Sequence, residues 1–399
     1  MKHIHISELK PGMRVVDPGL DWVNHPYLYM ADEVVKSDAA VQKLIAEGYQ
    51  EVYIDPERSA TTPSAPECMA ADNAIAGTGL AASLKPTVAL DEELVSASRV
   101  HDDSVSYVRN FMRDMRAGKL DMQPASKLVE SIADSLERNA DALVTLSRLR
   151  RTDSYTYMHC VNVSVLTGLF ARYQGQDRNS VFSAGLAGPF HDLGKSLVPQ
   201  NILNAPRKLS AAEREIMNGH PTLGYEQLTT VPGVLPDVLL GALHHHEKLD
   251  GSGYPQGLSG EKISEIGGMI AVADIYDALT SKRVYKEAMY PHRALGIIYE
   301  MRDKDLRTDI LVHFIRMLGV YPMGSVVELD DGTVGVVSAS NVELPAKPVV
   351  TLVRDPEGRQ MPHSLCDLAR EGCTLSIVRC MAAESVNIDP AKVLDLPKE

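Results

Sequence analysis

The chain has 399 residues, 44% of them hydrophobic and 23% charged, the make-up of a globular protein long enough for two or three domains. Its net charge of −13 argues against a long polyanion bound along the surface, so no nucleic-acid polymer is expected as a partner. No apolar run approaches the ~18–20 residues of a membrane span, and the start, Met1-Lys-His-Ile-His-Ile-Ser7, has no signal-peptide core, so the expected location is cytoplasmic with no membrane partner.

Residues 1–58 read as a small α+β domain. Met13-Arg-Val-Val-Asp17 and Glu51-Val-Tyr-Ile-Asp55 have the composition of short strands. Between them Ser37 to Gly48 reads as a helix, with Ser37 or Asp38 near its N-cap and Gly48 at its C-terminal end. This domain carries His3, His5 and His25 without ligand spacing, which points to a regulatory or protein-binding role rather than a catalytic one. Residues 59–89, rich in Ala, Ser, Thr and Pro, read as a linker.

Residues 90–150 read as connecting helices. Val105, Val108, Phe111, Met112 and Met115 form one stripe, and Leu128, Ile132, Leu136, Leu143 and Leu146 another. Both are core patterns and carry no chemistry. Residues 151–320 continue helical, with helical periodicity around 155–173, 178–192, 210–219, 235–246, 264–281 and 291–300, and no β alternation. After 320 the texture changes. Two apolar runs flank the Asp331-Gly332 turn, Pro348–Arg354 is a third expected strand and Thr374–Val378 a fourth, so 321–399 reads as a small β-rich appendage.

Five cysteines, Cys68, Cys160, Cys366, Cys373 and Cys380, are scattered without a C-x-x-C pair. That argues against a disulfide framework or a zinc–thiolate site, and Cys160 reads as a buried structural thiol.

Chemistry concentrates in the helical region. Six of the 13 histidines, His159, His191, His220, His244, His245 and His246, fall within 159–246. A mixed set of imidazoles and carboxylates points to a transition metal. In His191-Asp192 the two neighbours can ligate two metals together, the aspartate bridging through its two oxygens. Three successive helical residues point about 100° apart, so His244, His245 and His246 cannot all face one metal pair. His245 and His246 can reach different metals, or one can ligate while the other binds substrate; His244 reads as a supporting or core residue. Lys195, one turn after His191, is placed to contact phosphate.

At this point the residues resemble a family. His191-Asp192-Leu-Gly-Lys195, His220-Pro221, His245-His246-Glu247, Asp250-Gly-Ser-Gly253-Tyr254-Pro255 and Val272-Ala-Asp274-Ile-Tyr-Asp277 are similar to the motifs of the HD-GYP domain, a subgroup of the HD phosphohydrolases. The first 58 residues resemble a domain of unknown function found before such domains. The resemblance implies a multidomain chain: an all-α HD-type catalytic domain, a small α+β N-terminal domain and a small β C-terminal appendage. Carried over by position, it implies metal ligands at His159, His191, Asp192, His220, His245, His246 and Asp274, catalytic roles for Lys195 and Asp192, and substrate contacts from Arg283, Lys286, Tyr254 and Asp277. Where some members have a glutamate supporting a third metal, this chain has Tyr155, so two divalent transition metals, iron or manganese, are expected. Val284 replaces the family's usual proline between Arg283 and Tyr285, and Ile263–Gly268 lacks another; neither change removes a donor.

The activity so implied is metal-dependent hydrolysis of cyclic di-GMP to pGpG, with GMP after a second cut, by a hydroxide held between two metals. The alternatives are a cyclic di-GMP-binding sensor with little turnover, or another HD-class nucleotide phosphohydrolase.

Overall fold

Spacing of apolar residues explains the first fold unit, which spans Met1–Ala71, while the second spans Asp72–Glu399. The computed structural model describes residues 2–10, 13–15, 28–29, 33–35, 37–46, 51–55, 86–116, 123–149, 155–205, 207, 209–281, 289–341, 343–381 and 383–396. Most of the expected linker, and the segment 282–288, lie outside these residues.

In the first unit strands β1 (Lys2–His5), β2 (Arg14–Val15), β3 (Leu28–Tyr29), β4 (Glu33–Val34) and β5 (Glu51–Asp55) form one sheet. β5 is its hub, pairing antiparallel with β1 and β2 and parallel with β3. Helix α1 (Asp38–Ala46) adds Val41 and Leu44 to a core of Ile4, Ile6, Val15, Val52 and Ile54. The unit is α+β, as its sequence suggests.

The second unit is a helical array with a sheet at its C-terminal end. α2 (Leu90–Arg116) and α3 (Gln123–Leu149) pair, and α4 (Tyr155–Tyr173) packs on both. α3 breaks at Asn139 (φ −160°, ψ 102°), and the freed Arg138 carbonyl accepts the N–H groups of Thr87 (2.8 Å) and Val88 (3.3 Å). From Met158 to Ala171 every residue of α4 is buried, the mark of a helix wrapped on all sides.

α5 (Arg178–Phe190), capped by Asp177, packs on α4; α6 (Gln200–Leu203) and α7 (Ala211–Asn218) follow in the chain, and α7 opens on a Ser210/Glu213 capping box. α8 (His220–Thr229) and α9 (Pro236–His244) follow. α10 (Glu265–Thr280), capped by Ser264, is almost as buried as α4 and crosses it at the centre. α11 (Pro291–Glu300) and α12 (Thr308–Leu318) close the outside. No described helix is long and apolar enough to cross a membrane.

The C-terminal sheet has the order β10-β6-β7-β8-β9 and is antiparallel throughout: β6 (Val326–Leu329), β7 (Val334–Ala339), β8 (Val349–Arg354), β9 (Gln360–Asp367) and β10 (Ile377–Met381). A short helix, α13 (Pro390–Val393), follows. Alternation along β6 and β7 serves two cores. Val327, Leu329 and Val337 join Val350 and Leu368, while Val326, Val334 and Val336 join Met323 and Leu394. Leu90 of α2 and Leu149 of α3 pack into the second core, so the appendage is docked. Thr145 Oγ1 meets the Met323 sulfur at 2.7 Å, and the Arg148 guanidinium donates to the Met323 carbonyl.

Candidate metal centre

Helix ends around α4 and α10 deliver His191, His220 and His245, and one device sets the orientation of all three. His191 follows α5, and its Nδ1–H donates to the Gly188 carbonyl at 2.6 Å. His220 begins α8 and donates from Nδ1 to the Met217 carbonyl at 2.8 Å; His245 ends α9 and donates to the Ala242 carbonyl at 3.0 Å. With Nδ1–H committed to a backbone acceptor, each ring turns a bare Nε2 lone pair inward. His159, in the second turn of α4, is fixed instead by a carboxylate, its Nδ1 lying 2.7 Å from Asp277 Oδ2.

The lone pairs converge on Asp192. Its Oδ1 lies 3.3 Å from His220 Nε2 and 3.6 Å from His245 Nε2. Its Oδ2 lies 3.4 Å from His191 Nε2 and 3.9 Å from His159 Nε2. His220 Nε2 and His245 Nε2 face each other at 3.3 Å. Two ligand groups result, Asp192/His220/His245/His246 and His159/His191/Asp192, sharing the aspartate with one oxygen toward each. Asp274 Oδ1, 3.1 Å from His159 Nε2, borders the second group.

Such an array of acceptors facing acceptors is unstable without cations between them. Asp192 Oδ1 and His191 Nε2 are buried and have no hydrogen-bond partner, the expected state of atoms whose partner is a metal. Burial keeps the imidazoles neutral: it lowers the pKa of His220, lowers that of His246 far below its ordinary value, and lowers His245 to about 4. Burial also opposes charge on His159, but its bonds to Asp274 and Asp277 outweigh it and push that pKa up to about 9. Burial alone would raise the Asp192 carboxyl; Lys195, whose Nζ is 2.6 Å from Oδ2, and His191 hold it well below the usual range. The neutral imidazoles of His220, His245 and His246 and the ionised Asp192 carboxylate are the ligand forms a borderline first-row divalent ion needs, so these residues fit the implied metals, while His159 would give up its Nε2 proton on binding one.

The loop after the triplet is built to stay in place. Glu247, buried, accepts the N–H groups of Gln256 (2.7 Å) and Leu258 (2.9 Å), and Tyr254 N–H donates to the His246 carbonyl at 3.1 Å. A Cβ on Gly253 would stand 2.6 Å from both Glu247 Cα and the His246 carbonyl oxygen, so the turn admits only glycine. The Tyr254 ring ends 4.7 Å from the His246 ring. Replacing Glu247 by Ala orphans two backbone donors, at about 3 kcal/mol. The expected fall in melting midpoint is roughly 5–10 °C by calorimetry; an unchanged midpoint would show that the loop holds itself.

All seven expected ligands and Lys195 come together. Tyr254 stands at the rim beside His246. Asp277 does not point to a substrate: it is buried, and its carboxylate accepts from His159, from Asn162 Nδ2 (2.7 Å) and from Ser281 Oγ (3.0 Å). Its place is behind His159. His244 turns away, its Nδ1 accepting the Ser264 N–H at 3.2 Å at the start of α10. Arg283, Val284 and Lys286 lie outside the described residues, as does the side chain of Tyr155, whose backbone opens α4. Asn162 and Ser281 were invisible as functional residues in the sequence. The one available signal was spacing: Asn162 shares a helix face with His159, three residues away.

Comparison with known proteins places this centre within a matched domain. The HD domain model matches residues 130–309, a domain of unknown function (DUF3391) matches 1–125, and a KOW domain associated with the HD domain matches 326–388. The second of these runs past the first sheet and through α2. The chain is 35% identical to a cyclic di-GMP phosphodiesterase of Pseudomonas aeruginosa over 390 residues, covering 97% of this chain and 94% of that protein. It is 39% identical to a cyclic di-GMP phosphodiesterase response regulator of Xanthomonas campestris pv. campestris, over 45% of this chain and 48% of that protein. A 3′3′-cGAMP-specific phosphodiesterase of Vibrio cholerae is 35% identical over 45% of this chain and 31% of its own length. Likeness at this level, sustained from the first sheet to the last, places the chain in the HD-GYP family of HD-domain phosphodiesterases.

Proposed function

We propose that this chain hydrolyses cyclic di-GMP to linear pGpG, and pGpG to GMP by a second cut. One observation carries the reading: Asp192 turns one oxygen to each of two ligand groups, the arrangement a two-metal phosphodiesterase needs. Two divalent ions, iron or manganese, would be held by Asp192, His220, His245 and His246 on one side, and by His159, His191, Asp192 and Asp274 on the other. When bound they supply Lewis acidity and a water whose pKa is drawn toward neutrality.

The chain's own residues do the rest. Asp192, kept ionised by Lys195, stays a ligand across the working pH range. Lys195 is one-third exposed at the edge of the centre, and its ammonium stabilises charge gathering on the phosphoryl oxygens. Tyr254 offers an aromatic ring beside His246 against which a guanine can pack. Arg283 and Lys286, which follow α10 in sequence, take the role of phosphate clamps. The N-terminal unit enters as a regulatory or protein-binding module, a role refuted if deleting residues 1–58 abolishes turnover in a folded protein.

The test is product analysis after anaerobic purification and metal determination, with cyclic di-GMP, 3′3′-cGAMP, cyclic AMP and deoxynucleoside triphosphates as a panel. Cyclic di-GMP is expected to give pGpG and GMP fastest. Tight binding without turnover in the iron- or manganese-loaded protein would replace this reading with that of a sensor. Lys195→Met is expected to lower kcat by about 10²-fold with both metals retained; an unchanged kcat would remove lysine from the chemistry.

A further inference from the structure

Two pairs of side chains interlock where α4 crosses α10. His159 and Asn162 are three residues apart on α4, and Asp274 and Asp277 are three apart on α10, so each pair shares a face. His159 bridges the two carboxylates, with Nε2 3.1 Å from Asp274 and Nδ1 2.7 Å from Asp277. Asn162 takes the other oxygen of Asp277 at 2.7 Å, and its amide also donates to the Ser147 carbonyl, 3.2 Å away in the last turn of α3. Asn162 is 2% exposed and Asp277 4%.

A buried carboxylate is tolerated only when its lone pairs are filled. The donors to Asp277 are an imidazole, a carboxamide and a hydroxyl. Of these the carboxamide alone is anchored to a third helix. A carboxamide has two N–H groups in one plane, and here one serves Asp277 while the other serves Ser147. Leucine would fill the same space and serve neither.

We propose that Asn162 is a positioning residue of the metal centre. Through Asp277 it holds His159 as the Nδ1–H tautomer with Nε2 aimed at the second ligand group, and it ties that geometry to the end of α3. The inference rests on the proposed role of His159, His191 and Asp192 as a metal group. It predicts an uneven effect. Loss of Asn162 loosens only the group that contains His159; His220 and His245 keep their own backbone anchors.

The test is a Mn²⁺ titration of the full chain by calorimetry, with bound metal counted after gel filtration. The wild type is expected to take up two ions. Asn162→Leu is expected to weaken one of them by about 10–100-fold and leave the other unchanged. Asn162→Ser, which keeps one donor but leaves a gap, is expected to bind the second ion more tightly than Asn162→Leu does. A residue that merely fills space would give the opposite order. A second readout is the ¹⁵N spectrum of Zn²⁺-loaded protein. His159 is expected as the Nδ1–H form in the wild type and as a mixture or the other tautomer in Asn162→Leu and Asn162→Ser. If Asn162→Leu does not fold, Asn162→Ser and the spectrum decide.

Two ions bound by Asn162→Leu as tightly as by the wild type would overturn the proposal, as would an unchanged His159 signal in the variants. Wild type that binds two Mn²⁺ but leaves cyclic di-GMP intact refutes the functional reading and not this one. Full turnover with unaltered binding in the variants does the reverse. Wild type that binds a single Mn²⁺ overturns both.

Discussion

Asp192→Ala is expected to reduce cyclic di-GMP turnover by on the order of 10³-fold or more and to lower metal occupancy at both ligand groups. The reason is its position. Every imidazole of the centre serves one group, but Asp192 serves two, one oxygen toward His220 and His245 and the other toward His191 and His159. Its removal deletes a ligand from each group and leaves Lys195 beside neutral rings without its carboxylate at 2.6 Å. His246→Ala is the control, since it takes a ligand from one group only. Metal counting by mass spectrometry with a chromatographic turnover assay separates the two patterns. Equal metal content in Asp192→Ala and wild type would refute the bridging role.

Gly194→Ala is expected to destabilise the protein by about 3 kcal/mol or more, and to lower activity even in the fraction that folds. Gly194 lies in the 3-10 turn Leu193–Leu197 that carries Lys195, and this turn rests directly on the start of α8. A Cβ there collides with the His220 carbonyl oxygen and stands 2.6 Å from Gly224 N and 2.9 Å from His220 C. All three obstacles are backbone, so no side chain can swing aside. α8 must shift, and His220 shifts with it, away from Asp192. The melting midpoint and the Mn²⁺ affinity are expected to fall together. A soluble variant with both unchanged would show that the contact relaxes at no cost.

The candidate ligand set is legible through its resemblance to the HD-GYP motifs, matched residue by residue, and the structure brings most of these residues into two adjoining groups. Asp277 was not legible as a support. Asp274 and Asp277 sit three residues apart on one face of α10, and nothing in that spacing tells which carboxylate faces the cavity and which faces the back of His159. The triplet was easier, since about 100° per residue already separates His244 from its neighbours, and it turns toward Ser264.

Among the helices, α8 has no periodic segment of its own in the sequence, and it carries Pro221 in its first turn. At the first helical positions its missing N–H is no loss. α12 lies beyond the periodic segment at 291–300, although Ile310, Leu311, Phe314, Ile315 and Leu318 repeat at helical spacing. β9 was missed for a physical reason: it is an edge strand whose side chains are mostly exposed, Leu365 to 74%, so no apolar alternation marks it. The break in α3 has a long-range cause. Asn139 is held by the Val88 carbonyl, 51 positions earlier in the chain.

The docking of the C-terminal sheet on α3 bears on how the second unit comes apart. Met323 grips Thr145 and Arg148 on either side of Ser147, whose carbonyl receives Asn162. Sheet and metal centre therefore lean on the same turn, and they will unfold as one cooperative block. Denaturant will give coincident transitions for a probe on β7 and a probe beside His159. A fragment cut at residue 320 would keep every ligand and lose the brace that keeps the last turn of α3 wound.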